Sequence, residues 1–375
     1  MAVVQPDVAL FLGYIGGGGA ERVMLNLGRG LIAEGLKVDL VLGKAWGPHL
    51  EKVPPEIRIV DLGASGVWAT ILALRNYLQE SQPKSLLSAL HYANEIAVWA
   101  KRLGGVSTRV VVSEHNTFSE AIQHTTKLRK ILLPLFVRYF YPWADGIVAV
   151  SQGAAENLAK STGLNSDRIQ YIYNPVITPE LLQKSRETLD HPWFQPGEPP
   201  VILGVGKLEA QKDFPTLIKA FAKVRQVRQV RLGILGWGPD GDRLENLIQD
   251  HGLGDDAALL GYADNPYPYM ANAAVFVLSS RWEGLPTVLI EAMAVGTPVI
   301  STNCKSGAAE ILAEGRYGSL VPVGDTTAMA EAILATIEGN TPAVNTLWLE
   351  QFSQKMATQE YLKILGLDQH LINHQ

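Results

Sequence analysis

Short apolar runs of strand length alternate along the whole chain with longer stretches that carry apolar residues at helical spacing. In the first such stretch, Met24, Leu27 and Leu31 share one helical face. The apolar runs lie at 8–12, 38–42, 57–60, 85–90, 109–112 and 146–150, and then at 201–205, 230–235, 257–260, 274–278, 299–301 and 318–325. The alternation predicts an α/β protein with mostly parallel sheets, in which 146–150 is the last clear strand of the first sheet.

A polar, proline-rich stretch at 179–200 separates the two series of runs. Because 375 residues exceed one ordinary domain, we predict two domains. The predicted division is a first domain over 1–180, a linker over 181–200, a second domain over 201–345 and a C-terminal helix over 346–375. The final helix is predicted because Leu349, Phe352 and Met356 fall on one helical face.

Two glutamates flank a predicted loop-to-helix junction in the second half. Glu283 lies in the loop after an apolar run, and Glu291 lies over one turn into a helix that begins near Pro286. Backbone N–H groups near Thr287 and Val288 would favour an anion. Because carboxylates accept hydrogen bonds from sugar hydroxyls, the pattern fits a ligand with many hydroxyls around a phosphate. The alternative is two solvated carboxylates at a helix end.

Seven residues separate these glutamates, with Glu-Gly-Leu-Pro at the first and Glu-Ala-Met-Ala at the second. This pattern resembles the E-x7-E motif of the retaining, GT-B-fold glycosyltransferases of glycosyltransferase family 4. The resemblance implies two Rossmann-like domains facing a cleft, the first binding the acceptor and the second a nucleotide-sugar, with the C-terminal helix crossing back to the first. It implies that Glu291 holds the ribose and Glu283 the transferred sugar. The segment would also contribute Gly284, Leu285, Pro286, Thr287 and Val288 to the site.

Two lysines follow the first strand of the second half, Lys207 and Lys212. Cations five residues apart in a strand-to-helix loop can bind a diphosphate and stabilise it as it leaves. The segment resembles the family's Gly-Arg-Leu…Lys signature, with Lys207 where Arg is usual, so the two-point grip of a guanidinium is lost there. Ordinary surface charge is the alternative.

The first strand leads into a run of four glycines, 16–19. Glycines let backbone N–H groups approach a ligand, although a flexible turn would have the same composition. The run lacks the Lys of a Walker motif, and Arg22 stands where a dinucleotide fingerprint needs its third glycine. It resembles the family's Gly-Gly-Ala-Glu-Arg loop, which implies ligand contacts for Gly17, Gly18 and Gly19.

A literal G-x-G-x-x-G follows the strand at 230–235. It makes a dehydrogenase the rival interpretation, but Pro239 and Asp240 would crowd a pyrophosphate. We interpret Gly236 and Gly238 mainly as turn residues near the nucleotide. By resemblance, the backbone at Tyr262 meets the nucleotide base.

Polar residues follow two other predicted strands, at His91 and at Ser113-Glu114-His115-Asn116. Strand carboxyl ends collect site residues in this architecture. By resemblance, His115 would contact the donor sugar or the leaving group, whereas His91 more often has a structural role. A purely structural His115 is the alternative.

Residues 127–141 mix cations with large apolar and aromatic residues. This composition suits a helix on an anionic membrane surface, or a core helix with a solvated basic end. We hypothesise that the segment brings the enzyme to a lipid-linked acceptor.

The formal charge of −5 argues against a general nucleic-acid binder, and the single cysteine, Cys304, excludes an internal disulfide. We find no leader segment and no apolar run long enough to span a membrane. The sequence therefore predicts a cytoplasmic protein that can associate with the inner face of the plasma membrane.

The resemblance implies a retaining transferase that moves a hexose or N-acetylhexosamine from a nucleotide-sugar, with uridine as the expected base, to a glycan or lipid-linked acceptor. The resemblance implies catalytic roles for Glu283, Lys212 and His115 and no metal or other cofactor. The alternatives are a nucleotide-sugar enzyme of another reaction type, such as an epimerase, and a dehydrogenase-like nucleotide binder.

Overall fold

The computed structural model describes residues 5–16, 18–47, 49–123 and 126–368. The chain divides into two compact units, Met1–Val176 together with Gln351–Gln375, and Ile177–Glu350. Each unit is built on a parallel sheet with helices between its strands, which confirms the predicted pair of Rossmann-like α/β domains.

The first unit begins with strand and helix in regular alternation. Its elements before the second unit are β1 (Val8–Leu12), α1 (Gly19–Ala33), β2 (Val38–Leu42), β3 (Arg58–Asp61), α2 (Val67–Ser81), β4 (Ser85–Ala89), α3 (His91–Gly104), β5 (Arg109–Glu114), α4 (Phe118–Gln123), α5 (Lys127–Phe140), β6 (Gly146–Ala149), α6 (Gln152–Thr162) and β7 (Ile169–Tyr171). The strand order in this sheet is β3-β2-β1-β4-β5-β6-β7. The inner strands β1, β2 and β4 are buried along their whole length, as strands covered on both faces must be.

The strand β7 extends the first sheet beyond 146–150, the last clear strand of the sequence pattern. Ile169 is half-buried, and Gln170 and Tyr171 are exposed. The strand lies at the edge of the sheet, beside β6. An edge strand with one partner needs no continuous apolar run, so the pattern that reveals buried strands does not find it.

The second unit repeats the design. Its elements are α7 (Pro179–Lys184), β8 (Val201–Val205), α8 (Phe214–Arg225), β9 (Arg231–Leu235), α9 (Gly241–Asp250), β10 (Ala257–Gly261), α10 (Tyr267–Asn272), β11 (Val275–Leu278), α11 (Thr287–Ala294), β12 (Val299–Thr302), α12 (Ala308–Ile311), β13 (Ser319–Val321), α13 (Thr326–Ile337) and α14 (Thr346–Leu349). The strand order is β10-β9-β8-β11-β12-β13. The order reverses between β8 and β11, and ligands of open α/β sheets bind at the carboxyl ends of the strands at such a switch point.

The stretch 181–200 is packed within the second unit. The amide of Asn265 donates a 3.0 Å hydrogen bond to the carbonyl of Lys184. The ring of His191 lies edge-on to Tyr269, with 6.0 Å between centroids. These contacts hold the polar, proline-rich stretch on the body of that unit.

After the second unit, the chain returns to the first with α15 (Gln354–Ile364), as predicted for the C-terminal helix. The amide of Gln354 donates to the carbonyl of Asn26 on α1 at 2.6 Å. A Cβ at Gly30 would lie 2.1 Å from the Thr358 hydroxyl oxygen, so α1 and α15 approach closely because Gly30 lacks one.

The C-terminal segment is not the single helix that was predicted. Ser353 caps α15, its hydroxyl accepting a hydrogen bond from the Met356 amide at 3.2 Å, and so separates it from α14. Phe352 is fully buried whereas Met356 is 40% exposed, so the predicted shared face does not form. Residues 369–375 of the predicted helix lie outside the described residues.

No helix in the described part of the chain is both long enough and apolar enough to cross a membrane.

Candidate functional site

Glu283 is a buried acidic side chain at the switch point of the second unit, and hydrogen bonds hold it in place. It lies in the loop between β11 and α11 and is 7% exposed. Its Oε1 accepts hydrogen bonds from Lys212 Nζ at 2.6 Å and from Ser280 Oγ at 2.7 Å, and its Oε2 accepts one from Gln211 Nε2 at 3.3 Å. Lys212 comes from the loop after β8, so the structure brings two predicted site residues from adjacent strands into direct contact.

Backbone and side-chain hydrogen bonds join the two loops that carry this pair. The Arg281 amide donates to the Gln211 carbonyl at 2.8 Å, and Gln211 Nε2 donates to the Trp282 carbonyl at 2.9 Å. Ser279 Oγ donates to the Lys212 carbonyl at 2.7 Å. Because these bonds fix the backbone on both sides, Lys212 and Glu283 are held in one geometry before any ligand arrives.

The predicted residues after Glu283 form the entry to α11. No side chain caps this helix at Pro286, so its first N–H groups need other hydrogen-bond partners. Glu291 lies one turn inside the helix and is 3% exposed. A Cβ at Gly307 would lie 2.7 Å from the Gly284 carbonyl oxygen, so the segment rests closely on the backbone after β12. Gly284, Leu285 and Pro286 are buried, and Thr287 and Val288 are half-buried.

The two glycines of the G-x-G-x-x-G segment are used for packing within the protein. A Cβ at Gly236 would lie 1.8 Å from the Gly206 carbonyl oxygen, and a Cβ at Gly238 would lie 2.3 Å from that of Leu208. Gly236 also has a φ of 150°. The close approach that a dinucleotide fingerprint reserves for a pyrophosphate is thus taken by the loop after β8, which supports the turn interpretation.

The other residues predicted for this half are more exposed. Lys207 is directed to solvent, with a 52% exposed side chain, and its Nζ lies 2.8 Å from a Glu209 carboxylate oxygen. It therefore does not join the Lys212–Glu283 pair. Tyr262 follows the end of β10 and is 59% exposed. A second exposed aromatic ring, Trp237, lies between the two packing glycines and is 63% exposed.

The glycine loop of the first unit is partly described. Gly17 lies outside the described residues. Gly18 precedes α1 in an extended conformation, and Gly19 begins the helix with open space where its Cβ would be. The carboxylate of Glu21 lies against Gly18, where a Cβ would come within 2.7 Å of its Oε2. A negative charge therefore already lies at this helix N-terminus, where the sequence predicts contact with an anionic ligand.

A buried carboxylate, Glu114, joins the carboxyl end of β5 to the first turn of α3. Its oxygens lie 2.8 Å from His91 Nδ1 and 3.1 Å from Asn94 Nδ2, and Tyr141 donates a short hydrogen bond to it. Burial opposes ionisation of Glu114, but His91 and the two other donors hold its pKa below the usual range. Leu90, just before α3, has a φ of 77°, a strained conformation of the kind that clusters at functional sites.

His115, the next residue along the chain, is buried beside this cluster. Its Nε2 lies 3.1 Å from Ser113 Oγ, which in turn lies 3.4 Å from the Tyr361 hydroxyl of α15. Within the described residues, its buried Nδ1 makes no hydrogen bond. Burial lowers the pKa of His115 to about 4, although the charge of Glu114 acts in the opposite direction. The imidazole is therefore neutral at physiological pH.

Several side chains that build these sites were not identified from the sequence. Gln211 is next to Lys212 and Ser280 lies three residues before Glu283, so their positions near predicted residues carried a usable signal. Asn94 lies on the first turn after His91 and could have been found in the same way. Tyr141 gave no signal, because 27 residues separate it from Glu114.

Both halves of the chain match known domain families. Residues 17–179 match Glycosyltransferase Family 4, and residues 185–347 match the domain described as Glycosyl transferases group 1.

Similar proteins extend over nearly the full length. An N-acetylgalactosamine-N,N'-diacetylbacillosaminyl-diphospho-undecaprenol 4-alpha-N-acetylgalactosaminyltransferase of Campylobacter jejuni is 28% identical over 88% of this chain and 90% of its own. The lipopolysaccharide core biosynthesis glycosyltransferase LpsE of Rhizobium meliloti is 27% identical over 93% and 96%. The crystal structure of Anabaena HepE in complex with UDP shares the fold, with a TM-score of 0.71 and 17% identity over 98% of each chain. The chain belongs to the GT-B-fold glycosyltransferases of the group 1 and family 4 type.

Proposed function

We propose that this enzyme transfers a hexose or N-acetylhexosamine from a UDP-sugar to a lipid-linked or surface-glycan acceptor, with retention of the anomeric configuration. The observation that carries the proposal is the largely buried Lys212–Glu283 pair at the switch point of the second unit. The similar Campylobacter enzyme is named for an undecaprenyl diphosphate-linked substrate, and the HepE structure contains UDP, which supports this choice of acceptor and donor.

Within the second unit, each charged group has a proposed partner on the donor. Lys212 donates hydrogen bonds to the diphosphate and stabilises the charge that grows on it as the bond to the sugar breaks. Glu283 accepts hydrogen bonds from the sugar hydroxyls, and Glu291 accepts them from the ribose. Lys207 is exposed and supplies a second positive charge at longer range. Because the cations come from the protein, we expect no requirement for a metal ion.

We propose front-face attack. The acceptor hydroxyl attacks the anomeric carbon on the face from which UDP departs, the bond to the diphosphate breaks, and a phosphate oxygen of the donor takes the acceptor's proton. Glu283 is a poor candidate for a covalent nucleophile, because three donors already bind its two oxygens and one of them is the Lys212 ammonium. Such bonds stabilise the carboxylate and lower its nucleophilicity.

His115 is proposed to bind the donor sugar or leaving group as a neutral imidazole. Its depressed pKa argues against a role that requires the charged form. Its buried Nδ1 makes no hydrogen bond to any described residue, so a ligand hydroxyl or phosphate oxygen that reached it would supply the missing partner.

We propose that α5 brings the enzyme to the membrane that holds the acceptor, at its cytoplasmic face. One face of α5 packs into the core through Leu133 and Val137. The opposite stripe exposes apolar side chains: Leu128 is 67% exposed, Ile131 66%, Leu132 50%, Leu135 45% and Tyr139 61%. Lys130 and Arg138 are exposed on the same helix. An apolar stripe flanked by cations suits the surface of an anionic bilayer.

Replacing Lys212 by alanine is expected to lower kcat about 100- to 1,000-fold, because the leaving diphosphate loses a direct donor. The check is sugar transfer from UDP-sugars to a polyprenyl-linked acceptor, with thermal unfolding to show that the fold persists. Lys219→Ala is the matched control, since Lys219 is an exposed lysine on α8. Near-normal turnover by a folded Lys212→Ala variant would contradict the assignment.

His115→Gln is expected to reduce the loss of stability on mild acidification. The unfolded imidazole takes up a proton below about pH 6.5, whereas the folded one resists it down to its depressed pKa, so unfolding becomes easier as the pH falls. Between about pH 7 and about pH 5 we expect the variant to lose roughly 2 kcal/mol less than the wild type in denaturant unfolding. The exposed His251→Gln variant should follow the wild type. Identical pH dependence in His115→Gln would show that His115 is not buried as described.

Changing Ile131 and Leu135 together to serine is expected to weaken binding to phosphatidylglycerol-containing vesicles at least about tenfold, because two apolar side chains that would enter the bilayer are lost. Sedimentation with vesicles measures this, and neutral phosphatidylcholine vesicles report the charge contribution of Lys130 and Arg138. Val227→Ser, at a residue 68% exposed in the second unit, is the matched control. Unchanged sedimentation of the double variant would rule out α5 as the membrane contact.

A further inference from the structure

Two aromatic rings of the first unit stand in solvent where β1 and β2 end. Tyr14 follows β1 and is 55% exposed, and Trp46 follows β2 and is 64% exposed. Their centroids lie 6.2 Å apart with 50° between the ring planes. These loops lie on the edge of the sheet where its strands end, which is the ligand-binding edge of a doubly wound domain.

The two rings are presented on a backbone with little freedom. The Ile15 amide donates to the Trp46 carbonyl at 3.2 Å, which ties the loop after β1 to the loop after β2. Gly47 has a φ of 132°, and a Cβ there would lie 2.0 Å from the Ile15 carbonyl oxygen. A Cβ at Gly16 would lie 2.5 Å from the Tyr14 ring. Glycines at 16 and 47 therefore let the two loops and the ring pack closely.

Stability of the fold does not explain this arrangement. A ring contributes to stability through the apolar area it removes from water, and both residues are more than half exposed. Rigid, preorganised presentation of an exposed ring instead lowers the entropy cost of binding a ligand. Exposed aromatic groups held in this way mark a recognition surface.

The shape of the surface favours a sugar over a bilayer. A pyranose ring has an apolar face of C–H bonds and a rim of hydroxyls, so it stacks on one aromatic ring while its hydroxyls stay hydrated. A bilayer contact is better served by a continuous stripe such as that of α5. Here the Tyr14 ring lies against the exposed, side-chain-free Gly16.

We propose that Tyr14 and Trp46 form a stacking platform for the saccharide part of the acceptor. The platform would select acceptors that already carry sugar residues over a bare lipid diphosphate. This inference rests on the proposed transferase function and assigns the acceptor-recognition residues of the first unit.

The test uses the full chain and fluorescent short-chain prenyl diphosphates that carry no sugar, one N-acetylhexosamine or an N-acetylhexosamine trisaccharide. Fluorescence anisotropy gives the Kd for each probe. We expect Trp46→Ala to weaken binding of the trisaccharide probe several-fold, up to about tenfold, the range of one lost aromatic contact. Binding of the sugar-free probe should stay unchanged. Trp46→Phe should restore most of the affinity, because it keeps a flat apolar ring.

Trp68→Ala is the matched control, since Trp68 is 69% exposed on α2 in the same unit. The proposal is overturned if Trp46→Ala leaves trisaccharide binding unchanged, if it weakens the sugar-free probe equally, or if Trp68→Ala has the same effect. It is also overturned if the wild type binds sugar-bearing and sugar-free probes equally. UDP titration of the same variants separates the two proposals: wild type that fails to bind UDP contradicts the donor assignment, whereas normal UDP binding with any of the outcomes above contradicts the platform alone.

Discussion

The Lys212–Glu283 ion pair is the interaction on which the account of the second unit depends. Both side chains are mostly removed from water, at 16% and 8% exposure. Desolvating two charges costs several kcal/mol per ion, which their attraction does not reliably recover, and apolar replacements are often as stable. The pair is therefore poorly explained as a stabilising device. The proposed function gives the pair another role, as a donor and an acceptor set beside each other for a ligand that offers a phosphate next to hydroxyl groups.

The surrounding structure is arranged to keep these groups in place. Ser280 and Gln211 occupy further lone pairs of Glu283, and glycines at 236 and 307 let neighbouring loops approach the same segments closely. In the first unit, the donors around Glu114 have the corresponding role, and the strained Leu90 lies at the same junction. In both units the buried charge lies where a strand of the parallel sheet ends, so the topology determines where polar chemistry can be placed.

Much of the fold could be predicted because buried parallel strands leave continuous apolar runs in the sequence. Apolar runs do not reveal an element whose burial is one-sided or absent. The half-exposed β7 has no such run, and the break before α15 depends on Ser353, a single capping residue between two helical patterns. The return of the last helix to the first unit was predicted by family resemblance. The helix packs there by burying Tyr361, Leu362 and Leu365 in the core, with a close approach of Gly30 and Thr358.

The candidate site was partly predictable for a similar reason. Local patterns identified Glu283 and Lys212 as residues of loops at strand ends, but 71 residues separate them, and only the strand order shows that their loops are neighbours. The same patterns indicated that the glycines of the G-x-G-x-x-G segment are turn residues. The packing of Gly236 on Gly206 explains why glycine is needed there. Sequence alone did not reveal that the Glu21 carboxylate lies against Gly18, nor that burial keeps His115 neutral.

The most direct measurement is a calorimetric titration of UDP into the wild type and into a Lys212→Met, Glu283→Gln double variant, with denaturant unfolding of both. If the pair exists for the ligand, the double variant keeps its stability to within about 1 kcal/mol and loses UDP binding at concentrations that saturate the wild type. A double variant that binds UDP as tightly as the wild type, or one whose main defect is a large loss of stability, would show that the pair serves the fold and not the donor.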